Sequence, residues 1–299
     1  MIYLSICIPT KDRLTYLQET INSIINDGCD TSEFEIVISD NSDGDDTKNY
    51  AVTLQAQGIN IVYYKNPIKG FYNSIEALKL GNGALLKLHN DYSSFMLGQF
   101  RGFLKQAKDN ISRKPLIFFS NGTLKIELGK KNFTSKDLFI RATSFQNTWS
   151  SGFSIWKSQL GKIEHARQDV DAMFPHTSIF LNACAEEFVI DDRIYFKNIA
   201  VKNKGGYNIF YNFCVLYLDM IKDKLNRREI TKITYLTIKY KLFLQFVAPW
   251  YYKTIYTEQG YTFDPSNAKY NISYAYGNIG FYLIRTLCFV NLFINKIRG

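Results

Sequence analysis

The sequence has few of the residues that build disulfide frameworks and zinc sites. Its five cysteines are odd in number, and together with the three histidines they form no C-x-x-C pair and no Cys/His cluster. Neither a disulfide scaffold nor a zinc site is therefore expected. The first segment, MIYLSICIPT, lacks a basic region ahead of its apolar run, which predicts no signal peptide and a cytoplasmic location.

Long uncharged hydrophobic runs and glycine-rich phosphate motifs are also missing. No stretch of 18 or more residues is both apolar and free of charge, so a membrane-spanning helix is not expected. The sequence contains neither G-x-G-x-x-G after its first predicted strand nor G-x-x-x-x-G-K-[ST] anywhere. These absences argue against an NAD or FAD enzyme and against a P-loop protein.

Apolar and aromatic residues, by contrast, are abundant. The 299 residues are 46% hydrophobic and 16% aromatic, and this length suits one large domain or one domain with an appendage. In the first 95 residues, short apolar runs alternate with segments of helical period, which predicts an α/β fold with a parallel sheet covered by helices. Strands are predicted at 3–8, 34–39, 59–64 and 84–88, and helices at 14–28, 46–57 and 74–80.

Polar side chains follow three of the predicted strands. In open α/β sheets, ligands bind beyond the carboxyl ends of the strands, and carboxylates there suit a ligand with a base, a ribose and a diphosphate. Without a glycine-rich cradle, the diphosphate charge requires a divalent metal on a carboxylate or Lys and Arg side chains. The strand-end residues are Thr10, Asp12, Arg13, Asp40, Asn90 and Asp91.

Three linked segments resemble glycosyltransferase family 2. They read LSICIPTKDRLTYLQETINSI, FEIVISDNSDGD and YYKNPIKGFYNSIEALKLGNGALLKLHND, and the resemblance is closest to bacterial capsule and O-antigen enzymes of the abequosyltransferase-like group. It implies a GT-A fold, which is Rossmann-like, with a mostly parallel central sheet and helices on both faces. We therefore expect a catalytic domain at 1–200, divided into a nucleotide-binding half at 1–95 and an acceptor half at 96–200. A helical region is expected at 201–299.

The resemblance also implies a nucleotide-sugar site at the first strand ends. Pro9, Thr10 and Asp12 are expected to line the base, and Asp40 to accept hydrogen bonds from the base or the ribose. An alternative role for Thr10, Asp12 and Asp40 is to cap the helices that follow them. The full set of nucleotide-binding candidates is Pro9, Thr10, Asp12, Arg13, Asp40, Asn66, Gly70, Asn73 and Asn90.

The metal motif of the family is reduced in this chain. Members typically end the fourth strand with D-x-D acids whose last carboxylate holds Mn²⁺ or Mg²⁺ on the diphosphate. Here the segment reads His89-Asn90-Asp91-Tyr92, so Asp91 is the expected metal ligand, with Asn90 or His89 on the ribose or near the metal. One carboxylate can hold Mg²⁺ when phosphates and waters complete the octahedron. A metal-free mechanism with Lys or Arg is the alternative.

The acceptor half resembles the family's small-residue loop followed by a strand, where the acceptor and the donor sugar meet. Trp149, Ser151 and Gly152 lie in this loop. Trp149 is expected either to stack on a sugar face or to pack in the core. A cluster of acidic residues at 186–192 is expected to form a solvated face or the edge of a helix.

Inverting enzymes of this family use one carboxylate as the general base on the acceptor hydroxyl. Asp171 is the first candidate for this base in the sequence, and Asp169 is the second. His176 either assists catalysis or is a satisfied structural histidine.

The last third of the chain is basic and aromatic. Residues 193–299 carry 16 Lys and Arg against 5 Asp and Glu, whereas residues 1–192 carry 20 against 22. Helices are predicted at 207–225, at 230–247 with an end at Pro249, and at 278–297. This composition is typical of helices lying in a membrane interface; a helical appendage or a homodimer surface is the alternative. Nucleic acid is not an expected partner, because no recognised motif accompanies the charge.

The residues and the resemblance together imply a glycosyltransferase of bacterial surface polysaccharide synthesis. It is expected to move a sugar with inversion from a nucleotide sugar, in the first instance a UDP-sugar, to a hydroxyl of a glycan or a polyprenyl-diphosphate-linked acceptor. Such an enzyme would be peripheral on the inner face of the plasma membrane. The alternatives are a transferase that adds teichoic-acid or lipooligosaccharide decorations and an inactive GT-A module that acts as a scaffold or glycan binder.

Overall fold

The computed structural model describes the backbone of residues 1–166, 173–201, 205–257 and 260–298, and their side chains except at 163–166 and 292–298. The chain divides into two compact units, Met1–Ala200 and Val201–Gly299. The first unit contains, in chain order, β1 (Leu4–Thr10), α1 (Leu14–Ile25), β2 (Phe34–Asp40), α2 (Asp46–Ala56), β3 (Ile61–Lys65), α3 (Asn73–Leu80), β4 (Leu85–Leu88), β5 (Ser93–Phe95), α4 (Gln99–Asp109), β6 (Leu116–Phe119), β7 (Lys130–Phe133), α5 (Lys136–Thr143), β8 (Ser154–Trp156), α6 (Lys157–Ala166), α7 (Pro175–Asn182), β9 (Phe188–Asp191) and β10 (Phe196–Asn198).

Five strands of the first unit form its central sheet, in the order β3-β2-β1-β4-β8. β1 pairs in parallel with β2 and with β4, β2 pairs in parallel with β3, and β8 joins β4 in antiparallel orientation. The register places Thr10 opposite Asp40 and Asp40 opposite Lys65, so the carboxyl ends of three strands lie at one edge. This parallel central sheet in a mixed α/β unit confirms the predicted fold class.

The hydrophobic pattern of the first 95 residues explains these elements. β1 and β2 are buried along almost their whole length, as expected for parallel strands covered on both faces. In α1, Leu17, Ile21 and Ile24 are buried on one side of the helix and join the core around the sheet. The four strands and three helices predicted there are all present, with ends that differ by at most about three residues.

A second sheet, in the order β6-β9-β7, lies within residues 96–200. The prediction of a solvated acidic face at 186–192 is wrong for two residues at the end of β9, because Asp191 is 1% exposed and Asp192 is 4% exposed. The Asp191 carboxylate accepts a hydrogen bond from Arg193 Nε at 2.9 Å. The Asp192 carboxylate accepts one from Ser120 Oγ at 2.6 Å. Buried acids are retained when they are paired in this way.

In its described residues, the second unit is mainly helical and contains one short parallel pair of strands. Its elements are β11 (Gly205–Asn208), α8 (Ile209–Tyr211), a π-helical segment (Asn212–Tyr217), α9 (Leu218–Asn226), α10 (Lys232–Leu242), a second π-helical segment (Phe243–Val247), α11 (Ala248–Tyr251), a third π-helical segment (Tyr252–Tyr256), β12 (Thr262–Asp264) and α12 (Ala268–Arg298).

The prediction that Pro249 ends the second helix of this unit is wrong. Helical structure continues from α10 through α11 to Tyr256. Proline removes one backbone hydrogen bond and crowds the preceding turn, and that turn lies in the second π-helical segment, Phe243–Val247. The third helix, α12, begins at Ala268, earlier than predicted, and contains a non-helical residue at Gly277 with φ 69°. Within the described ranges, no helix is both long and apolar enough to cross a bilayer.

Candidate active site

The ends of β1, β2 and β4 bring the predicted site residues together. Thr10 Oγ1, at the end of β1, donates to the Asp91 carboxylate after β4 at 2.8 Å. The Thr10 carbonyl accepts from the backbone N–H of Asn41 after β2, and the Asp40 carbonyl accepts from that of Asn66 after β3. The four loops that follow the parallel strands are therefore tied to one another at a single edge of the sheet.

Asp91 is the buried acid of this edge. It is 2% exposed, and its second carboxylate oxygen lies 3.5 Å from Arg13 Nη1. Burial raises the pKa of Asp91, while Arg13 and the Thr10 hydroxyl act in the opposite direction. The guanidinium of Arg13 also lies 5.7 Å from the centroid of the Tyr92 ring, so one cation contacts both the acid and an aromatic side chain.

This donor set supports a divalent metal only in a limited form. In the described part of the chain, no group of three or more His, Cys, Asp and Glu side chains is arranged to hold a metal ion. Asp91 would be the single carboxylate ligand, and Arg13 would have to release one of its oxygens. Mg²⁺ is often held by one carboxylate when substrate phosphates and waters supply the other oxygens. The residues therefore fit a metal that arrives with a diphosphate.

Asp40 is more deeply buried than Asp91, with no exposed surface. One of its oxygens accepts from the backbone N–H of Ser42 at 2.8 Å, and the other accepts from Tyr63 OH at 2.9 Å and Lys65 Nζ at 3.4 Å. Burial, and then the hydrogen bond to Asp40, raises the pKa of Tyr63. Since α2 starts at Asp46, Asp40 closes a turn ahead of that helix and does not cap it.

Asn66 and Asn73 brace the loops after β2 and β3. Both are buried, at 3% and 5% exposure. The side-chain oxygen of Asn73 accepts from Ser39 Oγ at 2.6 Å and from Asn66 Nδ2 at 2.9 Å. Between them, Gly70 has φ 116°, a conformation that L side chains disfavour. These buried residues therefore fix the conformation of the loops that surround the predicted nucleotide site.

Pro9 and Asp12 belong to the first strand end and the loop after it. Pro9 lies opposite Ser39 in the register of β1 and β2. Asp12 has φ 52°, its N–H donates to Ser42 Oγ at 2.8 Å, and its carboxylate accepts from the N–H of Asp43 at 3.3 Å. No side chain caps α1. Asp12 therefore joins the loops after β1 and β2, and the capping alternative does not apply to it.

Two lysines that the sequence reasoning did not name lie at the same edge. Lys65, at the end of β3, donates to the Gly44 carbonyl at 2.5 Å in addition to its contact with Asp40. Lys69 pairs with the exposed carboxylate of Asp43. Their side chains are 37% and 49% exposed, and that of Arg13 is 39% exposed. The sequence feature that could have identified them is a basic residue directly after the predicted third strand, at the edge where a diphosphate needs positive charge.

The small-residue loop that contains Ser151 and Gly152 lies against the end of β4. The N–H of Asn90 donates to Ser151 Oγ at 2.9 Å, and Ser150 Oγ donates to the Asn90 side-chain oxygen at 2.6 Å. A Cβ on Gly152 would lie 2.4 Å from the Phe118 ring, so only glycine fits there without a shift. Trp149 is half-buried, and its ring centroid lies 5.7 Å from that of Phe196 in the core.

His176 lies in α7, 7% exposed. Its Nε2 is 2.9 Å from the Thr148 carbonyl, and burial lowers the pKa of His176 to about 4. These features support the structural alternative, a neutral histidine that holds the loop before Trp149. Asp169 and Asp171, the candidates for the catalytic base, lie outside the described residues.

Comparisons with known proteins agree with this geometry. A family model described as "Glycosyl transferase family 2" matches residues 5–79, which include the ends of β1, β2 and β3. A curated protein of Campylobacter jejuni, GalNAc(5)-diNAcBac-PP-undecaprenol beta-1,3-glucosyltransferase, is 26% identical over 246 residues, which are 77% of this chain and 76% of that protein. The resemblance to glycosyltransferase family 2 that was read from the sequence is thereby confirmed.

Solved structures share the fold. Residues 1–349 of S. aureus TarS match with a TM-score of 0.59 and 14% identity, over 86% of this chain and 76% of that chain. The same TarS segment in complex with UDP matches with a TM-score of 0.58 and 15% identity, over 86% and 76%. Its complex with UDP-GlcNAc matches with a TM-score of 0.55 and 16% identity, over 76% and 67%.

Proposed function

Because this chain carries a glycosyltransferase family 2 domain of GT-A fold, we propose that it transfers one sugar, with inversion, from a UDP-sugar to a hydroxyl of a polyprenyl-diphosphate-linked glycan. The observation that carries this proposal is the strand-end edge where Asp40, Asp91 and Arg13 converge. The donor class is supported by the TarS complexes with UDP and UDP-GlcNAc. The acceptor class is supported by the name of the Campylobacter relative, which includes PP-undecaprenol.

The edge supplies two kinds of group that a nucleoside diphosphate needs. The loops that Asp40 and Asn73 brace form the rim where the base and ribose would bind. Arg13, Lys65 and Lys69 bring positive charge to the place where the two phosphates would lie, since their side chains are between 37% and 49% exposed. Preoriented charges of this kind stabilise a leaving diphosphate without reorganisation during the reaction.

Asp91 is the residue that would hold a divalent metal. When bound, Mn²⁺ or Mg²⁺ would neutralise the charge that develops on the departing diphosphate. Thr10 orients the Asp91 carboxylate through its 2.8 Å hydrogen bond. Asn90, held by the Ser150–Gly152 turn, fixes the backbone next to Asp91.

Inversion requires a base on the acceptor side. A carboxylate would take the proton of the acceptor hydroxyl as that oxygen attacks the anomeric carbon and the nucleoside diphosphate leaves. We assign this role to Asp171, with Asp169 as the second candidate. Trp149, Ser151 and Gly152 would form the wall where the acceptor approaches the donor sugar.

The second unit would contact the inner face of the plasma membrane. In α10 and the turn after it, Ile233, Leu236, Tyr240 and Leu244 are 64%, 50%, 65% and 40% exposed. Their spacing of three, four and four residues places them along one side of the helix. Residues 201–299 carry 14 Lys and Arg against 5 Asp and Glu, so an apolar stripe with basic surroundings fits an anionic lipid surface.

α12 exposes a second apolar side in the same unit. Phe281, Ile284 and Cys288 are buried, whereas Ile279 and Leu283 are 86% and 48% exposed. A helix that is apolar on both sides normally has a partner on each. A membrane surface would cover this outer side, and a homodimer contact is the competing occupant.

The donor proposal is tested by calorimetric titration with UDP, CDP, GDP and dTDP, each with Mn²⁺ and again with EDTA. We expect selective binding of UDP that weakens at least about tenfold in EDTA and in Asp91→Ala. Because Asp91 is a single carboxylate, Mn²⁺ without nucleotide should not bind measurably. Binding of UDP that is insensitive to metal would assign the phosphates to Arg13 and the lysines, and failure of every nucleotide to bind would favour an inactive module.

The membrane proposal is tested by sedimentation with vesicles of phosphatidylcholine, with and without one third phosphatidylglycerol. The wild type should sediment with the anionic vesicles, less so in high salt, and Ile233→Ser/Leu236→Ser should remain in solution. Leu128→Ser removes an apolar side chain that is even more exposed, at 87%, from the first unit and should leave sedimentation unchanged. If the wild type does not sediment with vesicles and forms dimers, the apolar stripe is instead a contact surface for a second copy of the chain.

A further inference from the structure

A lysine is buried inside the first unit, although nothing in the sequence around it predicts that burial. Lys87, in β4, has no exposed surface, and lysine is almost never fully buried without a charged partner. Among the side chains that the structure describes, none forms an ion pair with it. Burial lowers the pKa of Lys87 to about 7, the direction expected where desolvation disfavours the charged form.

The ammonium group of Lys87 is held by carbonyls and aromatic rings. It donates to the Leu88 carbonyl at 2.5 Å and to the Ser151 carbonyl. It lies 5.7–5.8 Å from the ring centroids of three buried phenylalanines, Phe103, Phe119 and Phe196, an arrangement that stabilises a cation by cation–π interaction. A methionine would fill the same space without burying a charge, so packing alone does not explain the lysine.

The contact with Ser151 links Lys87 to the candidate active site. Ser151 belongs to the turn that holds Asn90, through the hydrogen bond from the Asn90 N–H to Ser151 Oγ and the one from Ser150 Oγ to the Asn90 side chain. Asn90 in turn precedes Asp91. A chain of direct hydrogen bonds therefore runs from the buried ammonium to the backbone that carries the acid.

We propose that Lys87 is a positioning residue for sugar transfer: it fixes the Ser150–Gly152 turn against the end of β4 and so sets the place of Asn90 and Asp91 at the donor site. This inference rests on the proposed function for its catalytic consequence, while the link from Lys87 to Asn90 stands on the hydrogen bonds alone. Lys87 itself, with no exposed surface, touches neither donor nor acceptor.

The test compares Lys87→Met with Phe100→Leu in the full-length protein. Phe100 is a fully buried ring of the same core, stacked edge-on against Phe95 at 5.3 Å, and its change loosens the core without removing a contact of Lys87. Hydrogen exchange at the Asn90 amide, UDP affinity, kcat and donor KM are measured for both. Lys87→Met should speed Asn90 exchange at least about tenfold and lower kcat at least about tenfold, with donor KM within about threefold. Phe100→Leu should lower the melting temperature and leave the other values near wild type.

Three results would decide against the inference or separate it from the proposed function. Unchanged Asn90 exchange and unchanged kcat in Lys87→Met would overturn the inference. Equal changes in Phe100→Leu would show that Lys87 acts only through the stability of the core. If the wild type binds and turns over no nucleotide sugar, the proposed function fails, while Asn90 exchange still decides whether Lys87 positions the turn. Should Lys87→Met not fold, Lys87→Gln, which keeps an N–H donor, is measured instead, and its Asn90 exchange should lie between the wild type and Ser151→Ala.

Discussion

The two units of this chain differ in what they bury and what they expose. In the first unit, charged side chains lie inside: Asp40 and Lys87 have no exposed surface, and Asp91 is 2% exposed. In the second unit, apolar side chains lie outside: Ile279 is 86% exposed and Tyr240 is 65% exposed. Buried charge is unfavourable for folding, and so is apolar area left in water. Both arrangements therefore indicate function, the first a ligand site and the second a contact surface.

The difference also concerns how each feature would act. Each buried charge of the first unit is held by named partners, such as Thr10 and Arg13 on Asp91, so its direction is fixed before a ligand arrives. The exposed side chains of α10 need no fixed direction, because partition into a lipid interface depends on apolar area and charge. Substitutions should therefore change activity in the first unit and localisation in the second.

The largest effect is expected from Asp91→Asn, which keeps the shape of the side chain and removes its charge. Donor turnover should fall by about 100-fold or more, the scale of losing one preoriented electrostatic group. Because burial raises the pKa of Asp91, its negative charge at neutral pH opposes folding, and the variant should melt at the same or a higher temperature. Enzyme kinetics and thermal unfolding measure the two effects.

Asp43→Asn is the matched control for this change. Asp43 carries an exposed carboxylate at the same sheet edge, 80% exposed and paired with Lys69. Exposed pairs contribute little, so turnover should stay within a few-fold of wild type. Equal losses in the two variants would mean that burial and direction of the acid do not matter, and the contrast between buried and exposed charge would lose its basis.

Lys87 should give the first unit a stability that depends on pH. Its pKa is lowered to about 7 in the folded state and returns to about 10.4 on unfolding, so between these values the unfolded chain binds more protons. Stability should therefore rise with pH in this window, by about 2 kcal/mol between pH 7 and 9 relative to Lys87→Met. Burial raises the pKa of Cys7 and lowers that of His89, so in the folded state neither of these neighbours of Lys87 titrates between pH 7 and 9. Urea unfolding at pH 7, 8 and 9 measures the difference, and parallel curves would show that burial does not lower the pKa of Lys87.

Gly152 tests how tightly the first unit is packed beside its site. Gly152→Ala would place a methyl group 2.4 Å from the fully buried Phe118 ring, and overpacking of this kind costs about 1–3 kcal/mol. Gly161→Ala, in α6, meets nothing within 4 Å and should raise stability by up to about 1 kcal/mol, since alanine is the better helix former. Chemical denaturation measures the free energy of unfolding of both variants. Similar values would indicate that the turn at Gly152 can shift to accommodate the added methyl group.

The sequence was sufficient to predict the sheet and the acids at its edge. Alternation of strand and helix periods identified β1 to β4, and the rule that ligands bind at the carboxyl ends of parallel strands identified Asp40 and Asp91. Both inferences depend on local pattern and on the uniform direction of parallel strands. The hydrogen bonds of Asn66 and Asn73 to neighbouring loops depend on tertiary approach, and no local pattern contains that information.

The residues that the sequence reasoning missed are those where tertiary context reverses an ordinary preference. Lysine in a strand normally indicates an exposed face, yet Lys87 is buried because three phenylalanines and two carbonyls from separate segments surround it. Asp191 and Asp192 were expected in solvent, yet both are buried with partners. Pro249 was expected to end a helix, yet helical structure continues through it, with a π-helical segment in the turn before it.

The smallest effect on stability is expected in the second unit, where exposed and buried positions of the same helix can be compared directly. Ile233→Ser/Leu236→Ser changes two side chains that are 64% and 50% exposed on the outer side of α10. Exposed positions that pack against nothing change stability by about 0.5 kcal/mol or less, so the melting temperature in solution should stay close to wild type while vesicle binding is lost. Ile238→Ser, on the buried side of the same helix at 0% exposure, should destabilise strongly, because it leaves a cavity and buries a hydroxyl. If the outer pair destabilised as much as Ile238→Ser, those side chains would be packed in solution, and the apolar stripe would belong to an interface between copies of the chain.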